Sequence, residues 1–135
     1  MAKLVFVVDN VAAVREALCE AFRTMYEDQI RSGELVVEGL PDGTALLARS
    51  AEAAPDLVFM DVDMPDPDGI ETFYRFKQLH PQATRGVFFL TGLAGAPSTN
   101  QRLEQAVVDG AGGFMSKPTS AASLQAVTER LLFSR

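Results

Sequence analysis

Basic residues, cysteine, histidine and long apolar runs are scarce in this chain of 135 residues. It carries 12 Lys and Arg against 18 Asp and Glu, a formal net charge of −6. A surface of that sign repels phosphate backbones and anionic lipid, so neither nucleic acid nor membrane is expected as a direct partner. One cysteine, Cys19, rules out an internal disulfide and fits a reducing compartment, with the cytoplasm as the default. Cys19 lies between Leu18 and Glu20 on a helical pattern and reads as packing. No apolar stretch approaches the roughly 18 residues of a membrane span. Met1-Ala2-Lys3 leads at once into a strand-like run, so no signal peptide is expected. His80, the single histidine, stands before Pro81 in a predicted loop and is expected at the surface.

What remains is ordinary globular composition, 47% hydrophobic and 22% charged. The length suits one domain over residues 1–135. Within it, the run Leu4-Val5-Phe6-Val7-Val8 ends in Asp9-Asn10, and Leu57-Val58-Phe59-Met60 ends in Asp61. Short apolar runs bounded by turn signals read as strands buried on both faces of a parallel sheet. Such a sheet carries its working residues outside the carboxyl ends of its strands, so Asp9 and Asp61 are expected to share one crevice. Two carboxylates that close need a cation or a proton between them. The pattern therefore points to a divalent metal held beside a carboxylate.

Strand-like and helix-like segments alternate. Val14, Ala17, Leu18, Ala21, Phe22 and Met25 recur at helical spacing. The polar stretch Glu27 to Glu34 turns the chain back into Leu35-Val36-Val37. Asp42, in Pro41-Asp42-Gly43, is a candidate N-cap for a short helix over 45–54. After Asp61 and the loop Met64-Pro65-Asp66-Pro67-Asp68-Gly69, a helix carries Ile70, Phe73, Phe76 and Leu79 until His80-Pro81 breaks it. Val87-Phe88-Phe89-Leu90 ends in Thr91, and a Gly/Ala/Pro loop leads to a helix with Leu103, Ala106 and Val107. Phe114-Met115 is a short fifth strand before Ser116-Lys117-Pro118, and the last helix carries Leu124, Val127 and Leu131. Five such units make a doubly wound α/β domain.

The ordered set Val7-Val8-Asp9-Asn10, Asp61 with Met64-Pro65 and Asp68-Gly69, Thr91-Gly92, and Lys117-Pro118 resembles the receiver domain of two-component response regulators. The likeness spans essentially the whole chain. Each motif alone is weak; their order is specific. The resemblance implies a flavodoxin-like, doubly wound, five-stranded parallel sheet with five helices and strand order 2-1-3-4-5. It implies phosphorylation on Asp61, with Thr91 and Lys117 assisting. The metal would be Mg²⁺, held by Asp9, Asn10, Asp61 and the backbone carbonyl of Asp63. The expected phosphoryl source is a histidine kinase or histidine phosphotransfer protein, and the output an unknown protein target. In the family an aromatic at the place of Phe114 rotates between outward and inward positions as the hydroxyl at Thr91 is drawn in.

The chemistry accounts for these residue types. A carboxylate can attack phosphorus and hold the group as an acyl phosphate. Phosphoryl transfer needs positioning and positive charge more than covalent help. Lys117 offers a point charge on a flexible stem, and Thr91 a hydrogen-bond donor. Asn10 departs from the family, which usually has a second acidic ligand there. An amide oxygen brings no charge, so weaker Mg²⁺ binding is expected, with the Asp63 side chain a partial substitute.

Taken singly, these residues have plainer readings. A strand-end Asp such as Asp61 is more often a cap or turn residue than a nucleophile, and Asp66 and Asp68 are expected as loop and turn residues. Lys117 alone would be a solvated lysine, Phe114 a core aromatic, and Leu93 part of a loosely packed loop. Two other function classes stay open. One is a pseudo-receiver that binds partners without metal-dependent phosphorylation, which Asn10 favours. The other is a flavodoxin-like ligand binder or enzyme, against which stands the absence of a phosphate-cradling loop after the first strand. Beyond a switch that phosphorylates and dephosphorylates itself, no enzyme activity is expected. No effector domain follows the last helix, so the chain is expected to act by docking or to be part of a longer regulator.

Overall fold

Alternation along the first strand divides the core into two layers. In the computed structural model, which describes residues 2–92 and 97–133, β1 (Lys3–Val8) sends Val5 and Val7 to one side of the sheet and Phe6 and Val8 to the other. All four are fully buried, so both faces are covered, as a continuous apolar run requires. Around it stand β2 (Leu35–Leu40), β3 (Leu57–Asp61), β4 (Val87–Thr91) and β5 (Gly113–Ser116), all parallel, in the order β2-β1-β3-β4-β5.

On one face α1 (Ala12–Met25) and α6 (Ala121–Thr128) bring Cys19, Phe22 and Leu124 against Val5, Val7, Phe59 and Phe88. On the other, α3 (Gly43–Glu52), α4 (Gly69–Leu79) and α5 (Pro97–Val108) bring Leu46, Phe73, Phe76 and Leu103 against Phe6, Met60 and Phe89. Each such buried Phe contributes on the order of 1.5–3 kcal/mol. Side-chain caps begin α3, α4 and α6: Asp42 accepts from the Ala45 amide, Asp68 from Glu71 and Ser120 from Ser123.

The structure departs from the sequence reading in detail. The stretch after Met25 is not only a turn; it forms a short additional helix, α2 (Glu27–Arg31). Glu27 and Asp28 sit in its first turn, favourable to the helix dipole, and Arg31 pairs back to Glu27 at 3.1 Å. β2 runs on to Leu40 because it pairs with β1 along its whole length. Leu79, Val107 and Leu131 were expected on buried faces, yet they are 50%, 37% and 36% exposed. Leu79 and Val107 lie at or next to the last residue of their helices, and Leu131 belongs to a wider π turn over Glu129–Phe133. His80 is half-buried: its Nε2 lies 2.8 Å from the Ser50 carbonyl oxygen, and its ring packs on Phe76. Cys19 is buried as expected, and burial pushes its thiol above the ordinary range. Leu93 lies outside the described residues. No described helix is long and apolar enough to cross a membrane.

Candidate phosphoacceptor site

The order 2-1-3 places the topological switch point between β1 and β3, where doubly wound sheets open a crevice at their carboxyl edge. Val8 stands beside Met60, so the residues that follow, Asp9 and Asp61, come to the carboxyl edge of the sheet side by side. Asp9 is fully buried and Asp61 is 3% exposed. Local hydrogen bonds fix both carboxylates. Asp9 Oδ1 accepts from the Val11 amide at 2.9 Å, turning the chain into α1. Asp61 Oδ1 accepts from the Asp63 amide at 3.2 Å.

Lys117 comes to them from the far edge of the sheet. Thr91 stands opposite Ser116, and the Lys117 amide donates to the Thr91 carbonyl at 2.8 Å. This tether starts the side chain at the crevice wall. Its ammonium reaches Asp9 Oδ2 at 2.9 Å and Asp61 Oδ1 at 3.2 Å. Burial works against this charge, but the hydrogen bond to Asp9 and the attraction of Asp61 outweigh it and raise Lys117 above its ordinary value. For Asp61 the balance falls the other way. Burial is the largest influence and lifts the carboxyl; the Asp63 amide and Lys117 oppose it, and the charge of Asp9 adds to it.

Two carboxylates facing one ammonium leave one negative charge over in a nearly dry crevice. That donor set suits a hard divalent cation, which takes oxygen ligands and keeps several waters. Asp9 and Asp61 would hold Mg²⁺ there. Among the described residues no group of three or more acidic, histidine or cysteine side chains gathers there. Asn10 and Asp63 are both exposed. Thr91 is buried at the end of β4, 2% exposed. Phe114, expected either as a core aromatic or as a rotating one, stands outward and is 42% exposed.

Three residues support the site in roles that the sequence does not assign to them. Arg15 Nη1 donates to the Asp9 carbonyl at 2.8 Å and so braces the turn behind that carboxylate. Asp68, read only as a turn residue, caps α4 and also receives Arg102 of α5 at 2.8 Å, linking the loop after Asp61 to α5. Gly69 lies where a Cβ would stand 2.3 Å from the Asp61 carbonyl oxygen and 2.9 Å from Val62 Cα. Only a residue without a Cβ lets α4 start that close to the backbone of Asp61. Arg15 follows Asp9 by six residues, about where one further helical turn returns it. Nothing local marks Arg102, which is 34 residues from Asp68.

Residues 5–129 match the family of response regulator receiver domains. The chain is 33% identical over 94 residues to a protein-glutamate methylesterase/protein-glutamine glutaminase of Trichodesmium erythraeum, covering 70% of this chain and 26% of that protein. It is 28% identical over 121 residues to chemotaxis protein CheY of Bacillus subtilis, covering 90% of each. It thus spans about a quarter of the first relative and most of the second. Its fold superposes with a TM-score of 0.76, at 18% identity, on the receiver domain of a sensor histidine kinase from Pseudomonas aeruginosa, solved with magnesium coordinated in its active site cleft. That match covers 99% of this chain and 100% of the other. The chain belongs to the response regulator receiver domain family.

Proposed function

We propose that this chain is a phosphoacceptor switch of a two-component phosphorelay, with Asp61 accepting a phosphoryl group from a histidine kinase or histidine phosphotransfer protein. The observation that carries the reading is the Lys117 ammonium within 3.2 Å of both strand-end carboxylates. An Asp61 oxygen attacks phosphorus as the bond to the donor imidazole nitrogen breaks, and the nitrogen keeps the electron pair. Lys117, already cationic and in contact, balances charge on the equatorial oxygens. Asp9 keeps the crevice negative enough to hold a cation. Mg²⁺, when bound by Asp9 and Asp61, would add positive charge against the phosphoryl oxygens.

The new dianion then competes for Lys117 and draws on the Thr91 hydroxyl. Thr91 holds the Lys117 amide and stands in register with Ser116, so a shift there reaches β5 and Phe114. Phe114 has no hydroxyl and can turn inward without burying a polar group. Phosphorylation thus changes the face of α5, β5 and α6 that a protein target reads. A second reading, a pseudo-receiver that docks partners without phosphate, is favoured by the uncharged, exposed Asn10 at an otherwise acidic position.

Chemical lability separates the two. Labelled phosphate transferred from a phosphohistidine donor in Mg²⁺ should be released by hydroxylamine, as an acyl phosphate is. Label that resists hydroxylamine, or no label at all, contradicts the phosphoacceptor reading.

A further inference from the structure

At the start of β4 and β5, the end of the sheet opposite Asp61, Arg85, Val107, Val108, Arg130 and Leu131 line a groove of about 530 Å³ with the turn at 110–112. Val108 is 78% exposed, and Val107 and Leu131 are more than a third exposed. Apolar side chains grouped in the open, with a polar rim, mark interaction sites. The rim here is wholly cationic. In a chain with 18 acidic and 12 basic residues, no carboxylate of the described residues lines this groove.

Nearby acids are already engaged. Asp109 receives the Tyr74 hydroxyl at 2.6 Å and the Gln105 amide at 3.2 Å, and Glu129 receives the Tyr26 hydroxyl at 3.0 Å. Neither Arg85 nor Arg130 has an ion pair among the described residues. Arg130 is exposed, with its guanidinium 5.8 Å over the buried Phe88 ring. The turn beneath is tight: a Cβ on Gly112 would meet the Arg85 carbonyl oxygen at 2.3 Å and the Phe88 ring at 2.6 Å. A planar guanidinium presents paired donors that match a carboxylate.

We propose that this groove docks an acidic, apolar peptide segment of a partner protein. Its apolar side chains would cover Val107, Val108 and Leu131, and its carboxylates would meet Arg85 and Arg130. The remaining acidic surface repels such a segment, so charge complementarity selects this pole. The same net charge opposes a second copy of this chain as the occupant. The groove does not include Phe114, so this contact is separate from the face read on phosphorylation.

The test is an amide NMR titration of the whole chain with a synthetic peptide of alternating Glu and Leu pairs, beside a counterpart with Lys for Glu. The Glu peptide should move the amides of Arg85, Gly110, Ala111, Gly112 and Leu131, with affinity falling as salt is raised. Arg85→Glu should weaken binding at least about threefold; the Arg85 side chain makes no bond within the described fold, so this variant folds as the wild type does. Val108→Ser should also weaken it about threefold, through lost apolar contact. Equal shifts with the Lys peptide, shifts centred on Phe114, no shifts, or self-association through the groove in sedimentation would each overturn the proposal.

Discussion

The Lys117 ammonium sits between Asp9 and Asp61, 2.9 Å from one carboxylate and 3.2 Å from the other. It is the counter-charge that lets two buried acids share a crevice. Lys117→Met should therefore destabilise the metal-free protein. Removing one member of a buried charge group costs about 3–5 kcal/mol; Lys117 keeps a quarter of its side chain exposed, so about 2 kcal/mol is expected. Added Mg²⁺ should recover part of the loss by taking over the same two carboxylates. Thermal denaturation with and without Mg²⁺ reads this, and equal melting temperatures for variant and wild type would contradict it.

Asn10→Asp should tighten Mg²⁺ binding. A further unit charge a few ångströms from the metal is opposed by desolvation and carboxylate repulsion, leaving about 1–2 kcal/mol, or roughly tenfold in affinity. Without metal the variant should melt lower than the wild type, because three carboxylates then stand near one crevice. Calorimetric titration of both proteins decides the matter. Equal affinities would mean that residue 10 does not face the metal.

Gly69→Ala tests how Asp61 is positioned. A Cβ there needs the space of the Asp61 carbonyl oxygen, which is main chain and cannot swing aside as a side chain would. Overpacking of this kind costs about 1–3 kcal/mol. Phosphorylation should slow by more than stability alone explains, since Asp61, the proposed phosphoacceptor, is itself pushed. A variant that loses stability but keeps the wild-type phosphorylation rate while folded would show that the contact is only packing.

Glu38 carries the pH dependence away from the site. Its hydrogen bonds from Arg49, at 2.8 Å to each oxygen, hold the carboxyl below the usual range. A depressed value means that the folded state favours the ionised form. This stability is present above the ordinary glutamate range and is lost as pH falls through the folded value. Glu38→Gln should thus cost up to about 1 kcal/mol near neutral pH, given that both side chains are about 30% exposed. In acid below both values the cost should vanish. Urea denaturation at the two pH values measures it, and a cost independent of pH would count against the ion pair.

Much of this was legible in the sequence because the information was local. Apolar runs ending at Asp9, Asp61, Thr91 and Ser116 mark four strands and bring their ends to one edge of the sheet, whereas the run Leu35-Val36-Val37 continues through Glu38 to Leu40. Asp42 is readable as a cap, since a cap bonds within three residues; Asp68, expected as a turn residue, caps α4 in the same way. What escaped is long-range. Arg102 meets Asp68, and Tyr26 meets Glu129, across 34 and 103 residues with no periodic signal. Helix ends were misjudged for a related reason. Leu79 and Val107 keep the helical period, but at the ends of α4 and α5 they stay half or more than a third exposed.

The central claim is that Asp61 takes the phosphoryl group, and intact-mass measurement after incubation with a small-molecule phosphoryl donor tests it most directly. With Mg²⁺ the wild-type chain should gain the mass of one phosphoryl group; without Mg²⁺, or as Asp61→Asn, it should gain none. Phosphorylation of Asp61→Asn at the wild-type rate, or a wild-type chain that stays unmodified at saturating Mg²⁺, would contradict the account.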